Sequence, residues 1–122
     1  TDITICKPET EETVNSFDYP QTTVMKSAFE KASSILSKCE EDALIIAADT
    51  LVYLDKIMGK PKSEEEAFQM LSCLSGKTHS VFTGICIIDR ESLKKVVDYE
   101  ETSVVFHDLT KDFIERYLKN QA

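Results

Sequence analysis

The chain has 122 residues, of which 42% are apolar and 30% charged, and it carries a formal net charge of −8. That length suits one domain with a single core, and the composition is ordinary for a soluble globular protein. The acidic balance disfavours nucleic-acid polymers as partners, because their phosphate backbones would be repelled. No apolar run reaches the roughly 18 residues of a membrane span and no signal-peptide pattern is present, so we expect a cytoplasmic protein without a membrane partner.

The first third of the chain predicts a strand and a helix. Residues 1–6 alternate briefly between polar and apolar, as a strand does, and the acidic stretch after them is typical of a loop. Pro20 disfavours helical geometry in the residue before it, so a helix capped by Thr22 or Thr23 should follow. Lys31 has the position of an ordinary exposed lysine on this helix. The helix should run to about Cys39, with one apolar stripe made of Val24, Ala28, Ala32, Ile35, Leu36 and Cys39.

The middle of the chain carries polar residues at the end of an apolar run. Residues 43–48 (ALIIAA) are continuously apolar, which favours a strand covered on both faces. Asp49 and Thr50 follow at the C-terminal end of that strand, where open α/β sheets bind their ligands. A second short strand over 51–54 and a turn should then lead to the Gly-Lys-Pro sequence centred on Lys60.

The second half of the chain predicts two helices and two long strands. Ser63 and Glu66 have the spacing of a capping box at the start of a helix over 64–74. A strand over 78–89 is apolar on both faces and should therefore be central in its sheet. A partner strand follows over 93–106. The last helix, over 111–118, should direct four side chains inward: Phe113, Ile114, Tyr117 and Leu118.

The cysteine pattern predicts free thiols. None of the four forms a CxxC pair, and each lies within an apolar pattern: Cys6, Cys39, Cys73 and Cys86. No disulfide framework is implied, and we expect buried thiols, with a zinc site as the alternative.

Three polar residues could carry chemistry, and each also has a structural interpretation. Asp49 suits a general base or metal ligand at a strand end, but aspartates also start turns. Lys60, held between glycine and proline, suits a phosphate partner or an exposed turn lysine. His79 heads an apolar strand, where histidines are more often structural than catalytic. The chain has no nucleophilic triad pattern, and its three glycines form neither a Walker loop nor a GxGxxG loop.

The ordered set of motifs is more specific than any single residue. The segments AADTLVYLDKIMGKP (47–61) and EEEAFQMLSCLSGKTHSVFTG (64–84) closely resemble the Maf family of nucleoside triphosphate pyrophosphatases. The matching features are the strand-ending ADT, the GKP after a hairpin, the LSG helix end and the H-S-V-x-T-G strand. The resemblance extends upstream through Glu12 and AFEKA (28–32), and downstream through ETSVVF (101–106) to the last helix.

This resemblance implies an α/β fold and a hydrolase. The fold would be a mixed, twisted β-sheet flanked by helices in two lobes, as in the related ITPase-like proteins. Members of the family cleave nucleoside triphosphates, ordinary or modified, between the α- and β-phosphates, which gives a monophosphate and pyrophosphate. They use a divalent metal ion such as Mg²⁺ or Mn²⁺. The implied partners are therefore a small-molecule triphosphate and a metal.

The matching motifs also imply roles for individual residues. Asp49 would activate water or bind the metal that does so, and Glu12 would assist with the metal. Lys31 and Lys60 would lie near the phosphates, and Thr50 would help to choose the base. The H-S-V-x-T-G strand adds two further expected substrate-binding residues, His79 and Thr83.

Two segments of the family have no counterpart in this sequence. One is an opening strand with a Ser-x-Arg-Arg loop, and the other is a D-K-A-G-x-Y-x-I-Q segment after the last helix. The resemblance thus implies an incomplete single domain over residues 1–122, with an open sheet edge that favours a homodimer. Two interpretations stay open: an active pyrophosphatase, or a catalytically weak or inactive domain that binds nucleotides or a protein.

Overall fold

Three helices and one four-stranded sheet form the part of the chain that the computed structural model describes, residues 3–6 and 18–120. The helices are α1 (Pro20–Leu36), α2 (Glu64–Leu74) and α3 (Lys111–Lys119). The strands are β1 (Leu44–Tyr53), β2 (Ile57–Met58), β3 (Thr78–Asp89) and β4 (Lys95–Val105). The predicted α/β class is confirmed. None of the described helices is long and apolar enough to cross a membrane.

The strands lie in the order β2-β1-β3-β4, with β3 between the two other long strands. The prediction of a central strand over 78–89 is confirmed, including both of its ends. All three described strand pairs are antiparallel, whereas the family resemblance implied a mixed sheet. Each of the two long pairs extends over at least ten residues, so neighbouring side chains on β1, β3 and β4 have a fixed register.

β1 is one continuous strand, and the prediction of two short strands separated by Asp49 and Thr50 was wrong. The ladder with β3 is unbroken from Leu44, paired with Asp89, to Tyr53, paired with Ser80. Asp49 therefore lies within a strand and not at its C-terminal end. Aspartate is unfavourable inside strands when its carboxylate is unpaired, and the site described below supplies the missing partner.

β1 is buried on one face only, so the expected cover on both faces was also wrong. Ile45, Asp49 and Leu51 are buried on the side of α1, while Leu44 and Ile46 on the opposite face are each 65% exposed. A continuously apolar run predicted burial but could not distinguish a face covered by α1 from a face that no described element covers.

The start of α1 differs from its prediction. The helix begins at Pro20, because proline suits the first helical position, where its missing N–H costs nothing. Tyr19 is the N-cap without a side-chain capping bond, so the predicted threonine cap was wrong. Thr23 instead donates its hydroxyl to the Tyr19 carbonyl at 3.0 Å. The helix ends at Leu36, three residues before the predicted Cys39.

Residues 3–6 have no regular structure, so the strand predicted over residues 1–6 was wrong for that part. The loop predicted after it, including Glu12, falls in residues 7–17, which lie outside the described residues.

α1 packs across β1 and β3 and supplies much of the core. Val24, Ala28 and Ala32 are fully buried along one stripe, as predicted from their spacing. The two alanines pack in one cluster, and Val24 packs in a second. The partners of the alanines are Ile45, Cys86 and Ile88, and those of Val24 are Leu51, Ile57 and Phe82. The small alanine side chains let α1 lie close to the strands.

The start of α2 confirms half of the predicted capping box. Ser63 is the N-cap, and its hydroxyl accepts a hydrogen bond from the Glu66 backbone N–H at 3.1 Å. The Glu66 carboxylate, however, accepts from the backbone N–H of Lys62 and not from that of Ser63. The carboxylate still satisfies a backbone donor beside the helix start, where negative charge is favourable.

The turn after α2 is fastened to the segment that follows β4. The backbone N–H of Gly76 donates to the His107 carbonyl, and the N–H of Phe106 donates to the Lys77 carbonyl, each at 3.0 Å. The Ser75 hydroxyl accepts from the Leu109 N–H at 2.7 Å. These bonds explain why the LSG helix end is followed by such a short turn into β3.

α3 buries less of its apolar surface than predicted. Ile114 is buried and Leu118 is half-buried, but Phe113 and Tyr117 are 53% and 48% exposed. The prediction was wrong for the two aromatic residues, because only a narrow apolar stripe of α3 packs against the rest of the protein. Thr110 caps the helix by accepting from the Phe113 N–H.

All four cysteines are free, as predicted, but they differ in burial. Cys86 is buried in the cluster under α1, Cys39 is partly buried, and Cys6 and Cys73 are exposed, so the expected burial was wrong for those two. Desolvation by burial raises the pKa of the Cys86 thiol above its ordinary value of 9.0, and this outweighs the positive charge of Lys95, which lowers the pKa. Because the thiolate is the reactive species, Cys86 should be inert.

Thiol labelling checks this difference. At pH 8 we expect iodoacetamide to alkylate Cys73 in the folded protein while Cys86 stays unmodified. Labelling in urea should modify both, which controls for intrinsic reactivity. Peptide mass spectrometry measures each site, and equal native rates at the two cysteines would contradict the described burial.

Candidate functional site

A buried ion pair between α1 and β1 forms the centre of the candidate site. Asp49 projects from β1 toward α1 and is only 6% exposed. The ammonium group of Lys31, on the next-to-last turn of α1, lies 3.1 Å from the Asp49 Oδ1 oxygen and donates a hydrogen bond to it. The Lys31 side chain is 19% exposed. Lys31 therefore lies at the border of the helix stripe and not on its solvated face.

The pair is held where water is largely excluded, and this makes the two charges interdependent. A buried carboxylate is costly unless it is paired and hydrogen-bonded. Removing one partner of such a pair costs about 3–5 kcal/mol, since the other charge is left without compensation. Asp49 and Lys31 are 18 positions apart in the sequence, so only the packing of α1 on β1 unites them.

Gly84 explains how α1 comes so close to Asp49. It is the cross-strand partner of Asp49 on β3, and both lie on the face that α1 covers. A side-chain carbon at this position would overlap the backbone carbonyl group of Val24 and lie 2.8 Å from the Met25 nitrogen. The sequence patterns described above did not predict this role of Gly84. The available signal was a glycine inside a buried strand pattern, which often marks a close backbone approach.

Two further predicted residues meet on the opposite face of the sheet. Thr50 and Thr83 are direct cross-strand partners, and their hydroxyl oxygens lie 3.2 Å apart. Glu100 of β4 pairs with Thr83 in the same row. Because adjacent strand residues point to opposite faces, the hydroxyl row and the Asp49–Lys31 pair lie on the two sides of one strand.

The outer edge of β1 connects these two faces. β2 pairs only with Val52 and Tyr53, so residues 44–51 have no strand partner on that side within residues 3–6 and 18–120. A ligand at this edge could reach Asp49 on one face and Thr50 on the other. The edge also has backbone groups that can bind a ligand.

Lys60 follows the hairpin that returns along this same edge. Val52 of β1 pairs with Met58, the last residue of β2. Lys60 comes two residues after the last pair, and it is exposed. The chain leaves β2 before Lys60, and the role of Lys60 near the phosphates stays a prediction.

His79 lies away from the other predicted residues. It is buried, and its ring meets the Phe106 ring edge-on with centroids 4.8 Å apart. Thr83 is four positions further along the strand, which corresponds to about 13 Å. Its Nδ1 atom has no hydrogen-bond partner in the described part of the chain. These contacts fit the structural interpretation, and its role in substrate binding stays a prediction.

The donor set for a metal contains one described carboxylate, that of Asp49. Within the described ranges no three histidine, cysteine or acidic side chains come together, and Glu12 lies outside them. One or two carboxylates together with substrate phosphates are nevertheless typical ligands of Mg²⁺. The Lys31 ammonium already lies 3.1 Å from Oδ1, which marks this point as one that favours a cation. The chemistry of the site therefore fits a divalent ion.

Comparisons with known proteins point to one family. A family model described as Maf-like protein matches residues 1–122. The chain is 43% identical over 114 residues to the dTTP/UTP pyrophosphatase of Bacillus cereus (strain G9842), covering 93% of this chain and 58% of that protein. It is 38% identical over 117 residues to the dTTP/UTP pyrophosphatase of Alkaliphilus oremlandii (strain OhILAs), covering 96% and 61%. The chain spans about three-fifths of the length of these curated relatives.

Proposed function

The chain belongs to the Maf family, and from this premise we propose that it provides the acid and lysines of a nucleoside triphosphate pyrophosphatase. The observation that carries the proposal is the buried Asp49 carboxylate held by Lys31, on the strand β1 whose outer edge has no partner strand over residues 44–51 among the described residues. Relatives that cover over nine-tenths of the chain are named for dTTP and UTP. We therefore propose pyrimidine nucleoside triphosphates as the substrates, in preference to a binding role alone.

Hydrolysis would proceed by attack of water on the α-phosphorus. A new bond forms between the water oxygen and phosphorus, and the bond to the oxygen bridging the α- and β-phosphates breaks. Its electron pair would leave with pyrophosphate, and Asp49 would accept the proton of the water. Lys31 and Lys60 would offset the charge that develops on the phosphate oxygens.

A divalent ion, Mg²⁺ or Mn²⁺, would polarise the phosphate oxygens and orient the water when bound. Asp49 would hold it, and Glu12 stays a predicted second ligand. The fold of the chain would hold the charged groups in position around this ion. α1 keeps Lys31 beside Asp49, while Gly84 allows the close packing that excludes water.

The hydroxyls of Thr50 and Thr83 would contact the nucleoside. Hydroxyl groups both donate and accept hydrogen bonds, as recognition of a pyrimidine ring or a sugar requires. Their 3.2 Å contact orients the two groups toward each other on the accessible face. A nucleotide bound at the edge of β1 would thus place phosphates and nucleoside near opposite faces.

The homodimer and the cytoplasmic location stay predictions. An open edge favours pairing with a second chain. On the described edge strand β4, Asp98, Glu100 and Glu101 lie together, and their like charges oppose pairing of two β4 strands.

Product analysis tests the proposed reaction. With Mg²⁺, we expect the protein to convert dTTP and UTP to monophosphate and pyrophosphate faster than it converts purine triphosphates. The analogue with a methylene group between the α- and β-phosphates of UTP should not be cleaved, which identifies the broken bond. Phosphorus NMR distinguishes the products. Release of orthophosphate, or no release at all, would contradict the proposal.

A further inference from the structure

Lys31 holds a position at Asp49 that a divalent ion would need. Its ammonium nitrogen lies 3.1 Å from Oδ1, and both side chains are largely withdrawn from water. We propose that Lys31 is a built-in counter-ion, which neutralises Asp49 in the metal-free protein and turns toward the triphosphate once a divalent ion binds. This inference rests on the proposed function for the choice of cation and substrate.

Electrostatics makes the two cations competitors for the carboxylate. An ammonium group and a divalent ion close to one oxygen repel each other strongly, since little water screens them there. The ion can therefore bind Asp49 fully only if Lys31 moves away. By thermodynamic reciprocity, any interaction that holds Lys31 on Asp49 weakens metal binding by the same factor.

The geometry of Lys31 allows such a movement. The ammonium is carried on a flexible four-carbon stem, so it can change position while the backbone of α1 stays fixed. The helix itself is anchored by the buried Val24, Ala28 and Ala32. The partial exposure of the Lys31 side chain gives the ammonium a path toward solvent, where triphosphate would arrive.

Substitutions at this position should change metal affinity in opposite directions. Lys31→Met keeps much of the length and removes the charge, which leaves Asp49 uncompensated and available to metal. Lys31→Arg keeps the charge and can bind the carboxylate with two donors, so it should be harder to displace. A lysine that only packs or only contacts substrate would not produce this pair of effects.

Titration with Mn²⁺ alone, without nucleotide, tests the proposal. Calorimetry should give a dissociation constant about ten-fold lower for Lys31→Met than for the original protein, within the usual range of site coupling. Lys31→Arg should bind Mn²⁺ more weakly, and Asp49→Asn should not bind it at this site. Lys26→Met is the matched control, because Lys26 lies on the same helix and is well exposed. The Mn²⁺ affinity of this variant should equal that of the original protein.

Unchanged or weaker Mn²⁺ binding by Lys31→Met, or no binding by any variant, would overturn the proposal. If circular dichroism shows that Lys31→Met does not fold, Lys31→Arg decides, and unchanged or tighter binding by it would be the contrary result. The outcome is separable from the proposed function. If the Mn²⁺ affinities change as expected but no pyrophosphate is released, the counter-ion proposal stands and the proposed enzymatic function is contradicted. If pyrophosphate is released but the affinities do not change, the enzymatic function stands and the counter-ion proposal is contradicted.

Discussion

Replacing Gly84 by alanine is expected to lower the free energy of unfolding by about 3 kcal/mol or more, and to abolish pyrophosphate release. The new methyl group would overlap the backbone of Val24, and a backbone cannot move aside as a flexible side chain can. Overpacking usually costs about 1–3 kcal/mol, and this site lies at the upper end because α1 must shift as a unit. Urea denaturation measures the loss.

Gly59→Ala is the matched control for that change. Gly59 follows β2, and a side-chain carbon there would meet no atom within 4 Å. It is an equal chemical change just outside the same sheet, and it should leave the free energy of unfolding within about 0.5 kcal/mol of the original value, as surface substitutions usually do. If Gly84→Ala were as stable as Gly59→Ala, the close approach of α1 to β3 would not exist in solution.

The link between Gly84 and activity goes through the ion pair. Moving α1 away from β3 also moves Lys31 away from Asp49, because both contacts are made by the same helix. Any folded fraction of Gly84→Ala should therefore have lost activity beyond what its reduced population explains. Rates divided by the folded fraction measure that excess.

Periodicity predicted those elements that depend on local sequence. The stripe of α1, the whole of β3 and the Ser63 cap follow from spacing and from side-chain chemistry within a few residues. Errors arose where one pattern has two structural outcomes. The polar pair after the apolar run 43–48 suggested a turn, yet the partners on β3 continue the strand through it.

The site was only partly predictable for the same reason. Asp49 and Lys31 each also had an ordinary structural interpretation, as a turn aspartate and an exposed helix lysine. Their contact could not be predicted, because it depends on the packing of two elements that are distant in sequence. The family resemblance supplied both residues as an ordered set, but not their pairing. Gly84 appeared only as the end of a motif, because the backbone that excludes a side chain there belongs to α1.

The sequence also could not predict that the side chains of Asp49 and Thr50 lie on opposite faces of the sheet. With a turn after Asp49, the side chain of Thr50 could have pointed in any direction. The unbroken ladder instead fixes Thr50 on the face opposite Asp49, next to Thr83. This geometry is the reason for proposing the edge of β1, rather than a pocket on one face, as the place where one ligand would contact both groups.

Asp49→Asn is expected to reduce the rate of pyrophosphate release by about 10²–10⁴-fold, the usual range for loss of a positioned acid–base group. Asparagine keeps the shape of the side chain and can still accept a hydrogen bond from Lys31. It cannot take up the proton of water, and it is a weaker ligand for a divalent ion. The loss should therefore appear in kcat, with the fold preserved by circular dichroism.

Asp55→Asn provides the matched control for this substitution. Asp55 is an exposed turn residue in the hairpin beside the site, with a backbone φ of 62° that asparagine adopts readily. The same carboxylate-to-amide change there should leave the rate unaltered. If Asp49→Asn kept more than about a tenth of the original kcat, its effect would fall well below that range, and Asp49 would not be the general base. If the Asp49 carboxylate served only to stabilise the fold, its replacement would lower the free energy of unfolding without lowering kcat.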